Sequence, residues 1–268
     1  MRTYLSFPLV LTLLLLNSTA WAQDTAAWKL VWSDEFDYTG LPDSTKWSYE
    51  TGGNGWGNKE LEYYTRADTS NAVVRDGHLY LTARKESWGD NQYTSARLVT
   101  KGKGDWLYGR MEVRAKLPAG RGLWPAIWML STDWKYGGWP ASGEIDIMEN
   151  VGFKPDSVFG SVHTKRFNHV IHTGFTKGLY ISDPYTEFHV YAIEWSPFSI
   201  RFLVDNKEYS VFHNSGNGFE EWPFDRRFHL LLNVAVGGGW GGQKGVDDGI
   251  FPRSMVVDYV RVYQQTPR

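Results

Sequence analysis

The chain has 268 residues, with 28 Lys plus Arg against 30 Asp plus Glu and a formal net charge of −2. That balance excludes the basic surface that a nucleic-acid partner requires. With no cysteine there are no disulfides, no thiol nucleophile, no thiolate metal site and no lipidated Cys anchor.

In chain order, Met1 to Ala22 reads as a secretory signal peptide. Arg2 supplies the positive start, Leu5 to Leu16 an almost wholly apolar run, and Ala20-Trp21-Ala22 an A-x-A-like cleavage site that makes Gln23 the mature start. The run is shorter than the ~20 residues of a membrane span. The expectation is an exported chain, free of the membrane after cleavage, with residues 23–268 as one domain. Next, Trp56 sits in a loop of Gly52, Gly53, Asn54, Gly55, Gly57 and Asn58. Leu79, Leu81 and Ala83 then alternate with Tyr80, Thr82 and Arg84. Met111, Val113, Ala115 and Leu117 share one face of a strand, and Arg110, Glu112, Arg114 and Lys116 the other. Phe188, Val190 and Ala192 alternate with His189, Tyr191 and Ile193. Ile200, Phe202 and Val204 lead through a turn at Asp205-Asn206-Lys207 into Glu208 to Phe212. Phe228 to Val236 and Met255 to Tyr263 complete about a dozen expected strands. No segment carries convincing helical periodicity, so the fold class is all-β, a sandwich or a barrel.

The most informative segment is Gly143-Glu144-Ile145-Asp146-Ile147-Met148-Glu149-Asn150. On a regular strand Glu144 and Asp146 share a face while Glu149 points into the core. A bulge at about Met148 would return Glu149 to its companions. The two glutamates would then lie about four steps apart, close enough to lean to the ~5–5.5 Å carboxyl separation of retaining glycosidases. Clustered carboxyls cannot all ionise, which suits one acid as nucleophile and another as proton donor. The bland alternative is a solvated acidic edge strand.

Aromatic residues surround this run. Trp124 and Trp128 precede it, Trp134 and Trp139 lie close by, and Trp56 and Trp240 sit in glycine-rich loops with few neighbours to bury them. Such rings offer flat faces to sugars, and Asn54, Asn58, Arg97 and Asn233 are candidate partners for hydroxyls. About half of the tryptophans are expected in the core instead.

The run Trp139-Pro140-Ala141-Ser142-Gly143-Glu144-Ile145-Asp146-Ile147-Met148-Glu149-Asn150 resembles the catalytic signature of glycoside hydrolase family 16, and its extra Met resembles the laminarinase branch, the endo-1,3-β-glucanases. Further segments resemble the family in order: Val31 to Phe36, Gly57 to Thr65, Thr94 to Leu98, Gly122 to Ala126, Val162 to Thr164, Trp240 to Gly242 and Val257 to Tyr263. The resemblance implies a β-jelly-roll sandwich of two antiparallel sheets with a concave substrate cleft. It implies a secreted, monomeric enzyme that cleaves internal β-1,3-glucosidic bonds with retention. By position, Glu144 is the nucleophile, Asp146 the assisting acid and Glu149 the general acid/base. Trp139 would stack on the sugar at the cleavage point and His163 would sit near Glu149. Asn54, Arg97, Trp124 and Trp128 would line the glycone side, and Trp240 would also touch the glucan. No cofactor is implied for catalysis. A structural calcium is implied on the convex side, held by backbone oxygens of Glu35 and Gly77 and the Asp258 carboxylate. Lys59 and Glu62 depart from the more neutral amides expected in the cleft loop, and a charged pair there would alter glycone binding.

Three rivals remain. A non-catalytic glucan-binding protein would keep the tryptophans and dispense with the acids. A metallohydrolase would use His163, His169 and His172, yet His169 and His172 fall on opposite faces of a strand and no H-E-x-x-H pattern exists. A same-fold enzyme would take mixed-linkage glucan or a galactan such as agarose or carrageenan.

Overall fold

The computed structural model describes residues 27–265, so the signal-peptide segment, residues 1–22, lies outside the described residues. Two sheets face each other. One has ten strands. Its spatial order runs Lys207–His213, Ser199–Val204, His189–Trp195, Gly109–Lys116, Arg253–Gln265, His78–Trp88, Asn91–Ser95 and Glu62–Tyr64. Trp28–Asp34 pairs with Arg253–Gln265, and Ala72–Arg75 with His78–Trp88. The other sheet has eight strands, in the order Phe175–Tyr180, Ser157–His163, Glu144–Glu149, Leu123–Ser131, Phe228–Val236, Arg97–Val99 and Ser48–Glu50, with Asp105–Trp106 also paired to Phe228–Val236. The paired strands run antiparallel apart from Glu62–Tyr64 beside Asn91–Ser95. This is the expected jelly-roll sandwich, with more and shorter strands than the dozen read from alternation.

The alternating positions explain the layers. Met111, Val113 and Ala115 point inward, as do Leu79, Leu81 and Ala83, and Ile200, Phe202 and Val204; all are buried in one apolar core. From the facing sheet come Ile127, Met129, Leu230, Leu232, Val234 and Val236. Asp205 and Asn206 both take positive φ, 50° and 63°, which makes the two-residue hairpin turn that matches strand twist. Among the described residues the one helical segment is a single 3-10 turn, Asp248–Ile250.

The acidic strand departs from regular alternation. Against Ser157–His163, Asp146 faces Ser161 and Glu149 faces Phe159, so three steps on one strand match two on the other. Against Leu123–Ser131, Asp146 faces Trp128 and Met148 faces Ile127, so the extra residue lies between Asp146 and Met148. Ile145, Ile147 and Met148 therefore all enter the core, two of them consecutively, and Glu149 emerges on the outer face. Just upstream, Gly143 has φ +87°, and a Cβ there would lie 2.8 Å from Pro223 Cγ, so glycine is required where the chain enters this strand.

Candidate active site

The outer face of the eight-stranded sheet carries a cleft with two lobes, of about 360 and about 520 Å³, that meet at Glu144 and Glu149. Three adjacent strands floor it, contributing Glu144, Asp146 and Glu149, then Trp124 and Trp128, then Asn233 and Ala235. Six tryptophans line it: Trp56, Trp124, Trp128, Trp134 and Trp139 in the first lobe and Trp240 in the second. Others, including Trp47, Trp106, Trp195 and Trp222, fill the core, as composition led one to expect.

Each outer acid meets an indole. Trp139 Nε1–H donates to Glu144 Oε2 at 2.9 Å, and Trp124 Nε1–H donates to Glu149 Oε1 at 3.0 Å. Between them Asp146 is buried, with Oδ2 3.2 Å from His163 Nε2. His163 Nε2 also lies 3.7 Å from Glu144 Oε1. His163 thus bonds at the Glu144–Asp146 end of the cluster, and as expected it also lies close enough to Glu149 to act on its charge. The reason is register: His163 sits directly opposite Glu144 on the neighbouring strand.

All three carboxyls are raised above their ordinary values. For Glu144 the main cause is burial, followed by the charge of Asp146, while His163, the Trp139 indole and Arg97 act in the other direction. Burial raises Asp146. Burial and then the Asp146 charge raise Glu149. The cluster therefore holds fewer than three negative charges near neutrality. Glu144 keeps the larger share of solvent contact, its side chain being 16% exposed against 4% for Asp146. Burial and the charges of Asp146 and Glu144 all act to keep a proton on Glu149, while His163, the Trp139 indole and Arg97 favour charge on Glu144.

In the first lobe the Arg97 guanidinium lies between two indoles, 4.5 Å from the Trp56 ring and 4.6 Å from the Trp128 ring. Its Nε–H donates to Glu50 Oε2 at 2.7 Å. Trp240 packs edge-on against Trp124 and Phe159 in the second lobe. Asn54 is a correction: it is exposed and lines neither lobe, and its Oδ1 accepts the Trp56 N–H in a tight local turn. Asn58 and Asn233 line the cleft instead.

The charged pair expected at Lys59 and Glu62 does not form. Lys59 is exposed at the second lobe, whereas Glu62 is fully buried beneath the loop. Sequence reading missed Glu60, which lines the cleft and accepts from Asn58 Nδ2 at 3.0 Å and from the Tyr64 hydroxyl at 2.9 Å. The period-2 spacing of Glu60, Glu62 and Tyr64 was the available signal. It also assigned His169 only to a metal-binding rival. His169 lines the cleft, its ring 5.3 Å from Trp139 and 5.2 Å from His163, and burial lowers its basicity. Among the described residues, the group with metal-ligand spacing is Glu144, Asp146 and His163, not the three histidines of that rival.

The residues expected around a convex-side calcium also meet. Asp34 pairs with Val260, bringing Glu35 toward Asp258, and Val257 pairs with Leu79, bringing the Gly77 turn to the same corner. The Asp258 carboxylate is committed, however: Arg114 Nη1 donates to Oδ2 at 2.5 Å and His78 Nε2 lies 3.6 Å from Oδ1. Arg261 forks onto the Glu35 carboxylate. Of the expected ligands only Asp258 contributes a side chain, and a calcium ion there would have to share that carboxylate with Arg114.

Comparison with known proteins agrees with this geometry. The sequence profile of glycosyl hydrolases family 16 matches residues 59–261. A beta-glucanase of Rhodothermus marinus is 57% identical over 244 residues, covering 88% of this chain and 85% of that protein. A glucan endo-1,3-beta-glucosidase of Cryptopygus antarcticus is 38% identical over 256 residues, covering 88% of this chain and 92% of that protein. The X-ray structure of the laminarinase from Rhodothermus marinus superposes with a TM-score of 0.88 at 56% identity, covering 90% of this chain and 99% of that one.

Proposed function

The chain belongs to glycosyl hydrolases family 16 and is a glycoside hydrolase, and from that premise we propose that it opens internal β-1,3-glucosidic bonds of laminarin-type glucan with retention. The observation that carries the reading is the bulge, which turns Glu144 and Glu149 to one face, each under an indole of the tryptophan-lined cleft. In the first step a Glu144 oxygen attacks the anomeric carbon as the glycosidic C–O bond breaks. The Glu149 proton passes to the departing oxygen. In the second step Glu149, now ionised, takes a proton from water as that water displaces Glu144, and the sugar leaves in its original β configuration. Asp146 and His163 lie against Glu144 and tune how readily it bears charge.

The substrate class comes from the beta-glucanase and laminarinase relatives, and a screen of laminarin, lichenan and agarose tests it. Fastest release of reducing ends from laminarin is expected. Faster release from lichenan would assign mixed-linkage glucan, and binding without release would make the chain a glucan-binding protein. Proton NMR of fresh product tests the mechanism, since α-anomer appearing first would exclude double displacement.

We further propose that the enzyme is exported and acts as a monomer. The support for export is the charged start, apolar run and small-residue cleavage motif between Met1 and Ala22. Amino-terminal sequencing of processed protein should begin at Gln23. At the convex corner, a calcium ion would have to take Asp258 from Arg114. A melting temperature that rises with calcium over chelator means the ion wins; identical curves leave Asp258 with Arg114.

A further inference from the structure

The first lobe rests on a second pair of acids, Glu60 and Glu62, that the reaction above does not use. Glu62 is fully buried. Its Oε2 accepts the Val236 N–H at 2.6 Å, while Oε1 is buried with no donor in reach. The carboxyl of Glu60 lies against it. Two adjacent buried carboxylates with no cation bonded to either would repel, so one of the two must hold a proton.

Hydrogen-bond direction decides which. The Trp128 indole can only donate, and it donates to Asn233 Oδ1 at 2.8 Å. The Asn233 amide is thereby oriented, and its Nδ2 donates to the Tyr64 hydroxyl oxygen at 2.9 Å. Tyr64 must then donate onward, to Glu60 Oε2. Asn58 donates to Glu60 Oε1 from the other side. Every donor in this chain runs toward Glu60, so both of its oxygens already act as acceptors. The orphan oxygen of Glu62 is satisfied once it carries a proton and donates to Glu60 too.

We propose that Glu62 is a positioning residue that sits in the folded protein as the neutral acid and donates to Glu60, fixing the wall of the first lobe. What it fixes is specific. Glu60 holds Asn58; the Asn58 carbonyl accepts the Gly239 N–H at 2.6 Å and Leu61 N–H bonds to Val236 O at 2.9 Å. The loops that bear Trp56 and Trp240 are therefore tied together over Glu62. Burial, and then the charge of Glu60, act on Glu62 in the direction that keeps the proton. The other titratable groups around the pair are Tyr64, whose proton is committed to Glu60, and Arg97, which is bonded to Glu50. Tyr93, on the strand beside Glu62, turns its hydroxyl away to Asp248.

The test compares Glu62→Gln and Glu62→Leu with the wild type. Gln supplies a carbonyl for Val236 and an N–H for Glu60, so at pH 6 its KM on laminarin should stay within about twofold, whereas Leu should raise KM about tenfold with kcat changed by less than about threefold. The kinetic arm rests on the glucanase reading; a wild type silent on laminarin defeats that reading, and the melting arm then decides this one. An acid whose folded value lies above its unfolded value costs stability as pH rises past the unfolded value. Melting of Glu62→Gln relative to the wild type should thus gain several degrees between pH 5 and pH 9. A KM for Gln as high as that for Leu would overturn the proposal. So would a melting gap that stays flat or shrinks with pH, because either result means Glu62 is ionised in the fold. If the Leu variant does not fold, the Gln variant is judged alone: a KM beyond about threefold or a flat gap overturns the proposal.

Discussion

The outer face of the ten-stranded sheet and the acidic strand of the eight-stranded sheet both carry glutamates and treat them in opposite ways. On the ten-stranded sheet carboxylates meet guanidinium groups: Arg110 donates to Glu112 and Glu194, Arg201 to Glu194 and Glu208, and Arg261 to Glu35. Glu35 is consequently held below its ordinary value, first by the Arg261 hydrogen bond. On the eight-stranded sheet Glu144 and Glu149 each receive one neutral indole N–H and are raised instead. The difference lies in burial first and in the neighbouring charges second, not in the acid. A carboxylate matched to a cation has its charge settled, whereas one buried beside other acids keeps a proton it can give up.

The sharpest way to break this contrast is to neutralise the cleft acids. Glu144→Gln and Glu149→Gln should each lower kcat by at least about 1000-fold while leaving melting cooperative and glucan binding present. Reducing-end release together with affinity electrophoresis checks both; a wild-type rate in either variant removes that residue from the chemistry. Next in size, Trp139→Phe keeps the ring and deletes the donor to Glu144. Loss of that donor raises Glu144 further, so the acid limb of kcat/KM should move to higher pH and kcat should fall about tenfold. A profile superposing on the wild type would mean the indole N–H is idle.

Smaller effects appear in stability, with opposite signs on the two faces. Glu144 sits above the 4.5 of an ordinary Glu, so its contribution is most favourable below that value and is lost as pH rises. Glu144→Gln should therefore melt progressively above the wild type between pH 5 and pH 9, by a few degrees. Glu35 sits below 4.5, so its contribution is present above that value and is lost as pH falls through the depressed one. Glu35→Gln should lower the melting point at pH 7 by about 2 °C or less, because the pair is about one-third exposed, and the gap should close as pH falls through the depressed value. Parallel pH trends in the two variants would erase the distinction between the faces.

How much of this was legible in the sequence depended on whether one strand or several determined the answer. Strand faces such as Met111, Val113 and Ala115 were readable because alternation is local. The bulge was inferable at about Met148 because regular alternation would bury Glu149, a cost that chemistry explains and a solvated edge does not. Neighbour relations across the sheet were less accessible. His163 met Glu144 and Asp146 through register. Arg114 reached the Asp258 carboxylate from a different strand, a partner that no local pattern announces. Asn54 and Asn58 look alike in a glycine-rich loop, and only backbone conformation separates the one that bonds its own turn from the one that holds Glu60. Glu62 read as half of a charged cleft pair with Lys59, and Glu60 drew no role, because nothing local reports that Tyr64, Asn233 and Val236 enclose them.

The doubled inward step at Ile147 and Met148 has a practical corollary. Glu149 is aimed from beneath: the side chains that hold its backbone in place lie in the hydrophobic interior, on the far side of the sheet from any sugar. Trimming Met148 would thus loosen the aim of the proton donor without touching a residue that a glucan contacts. Efforts to retune the working pH or turnover of this enzyme have a handle in its interior that an inventory of cleft contacts would pass over.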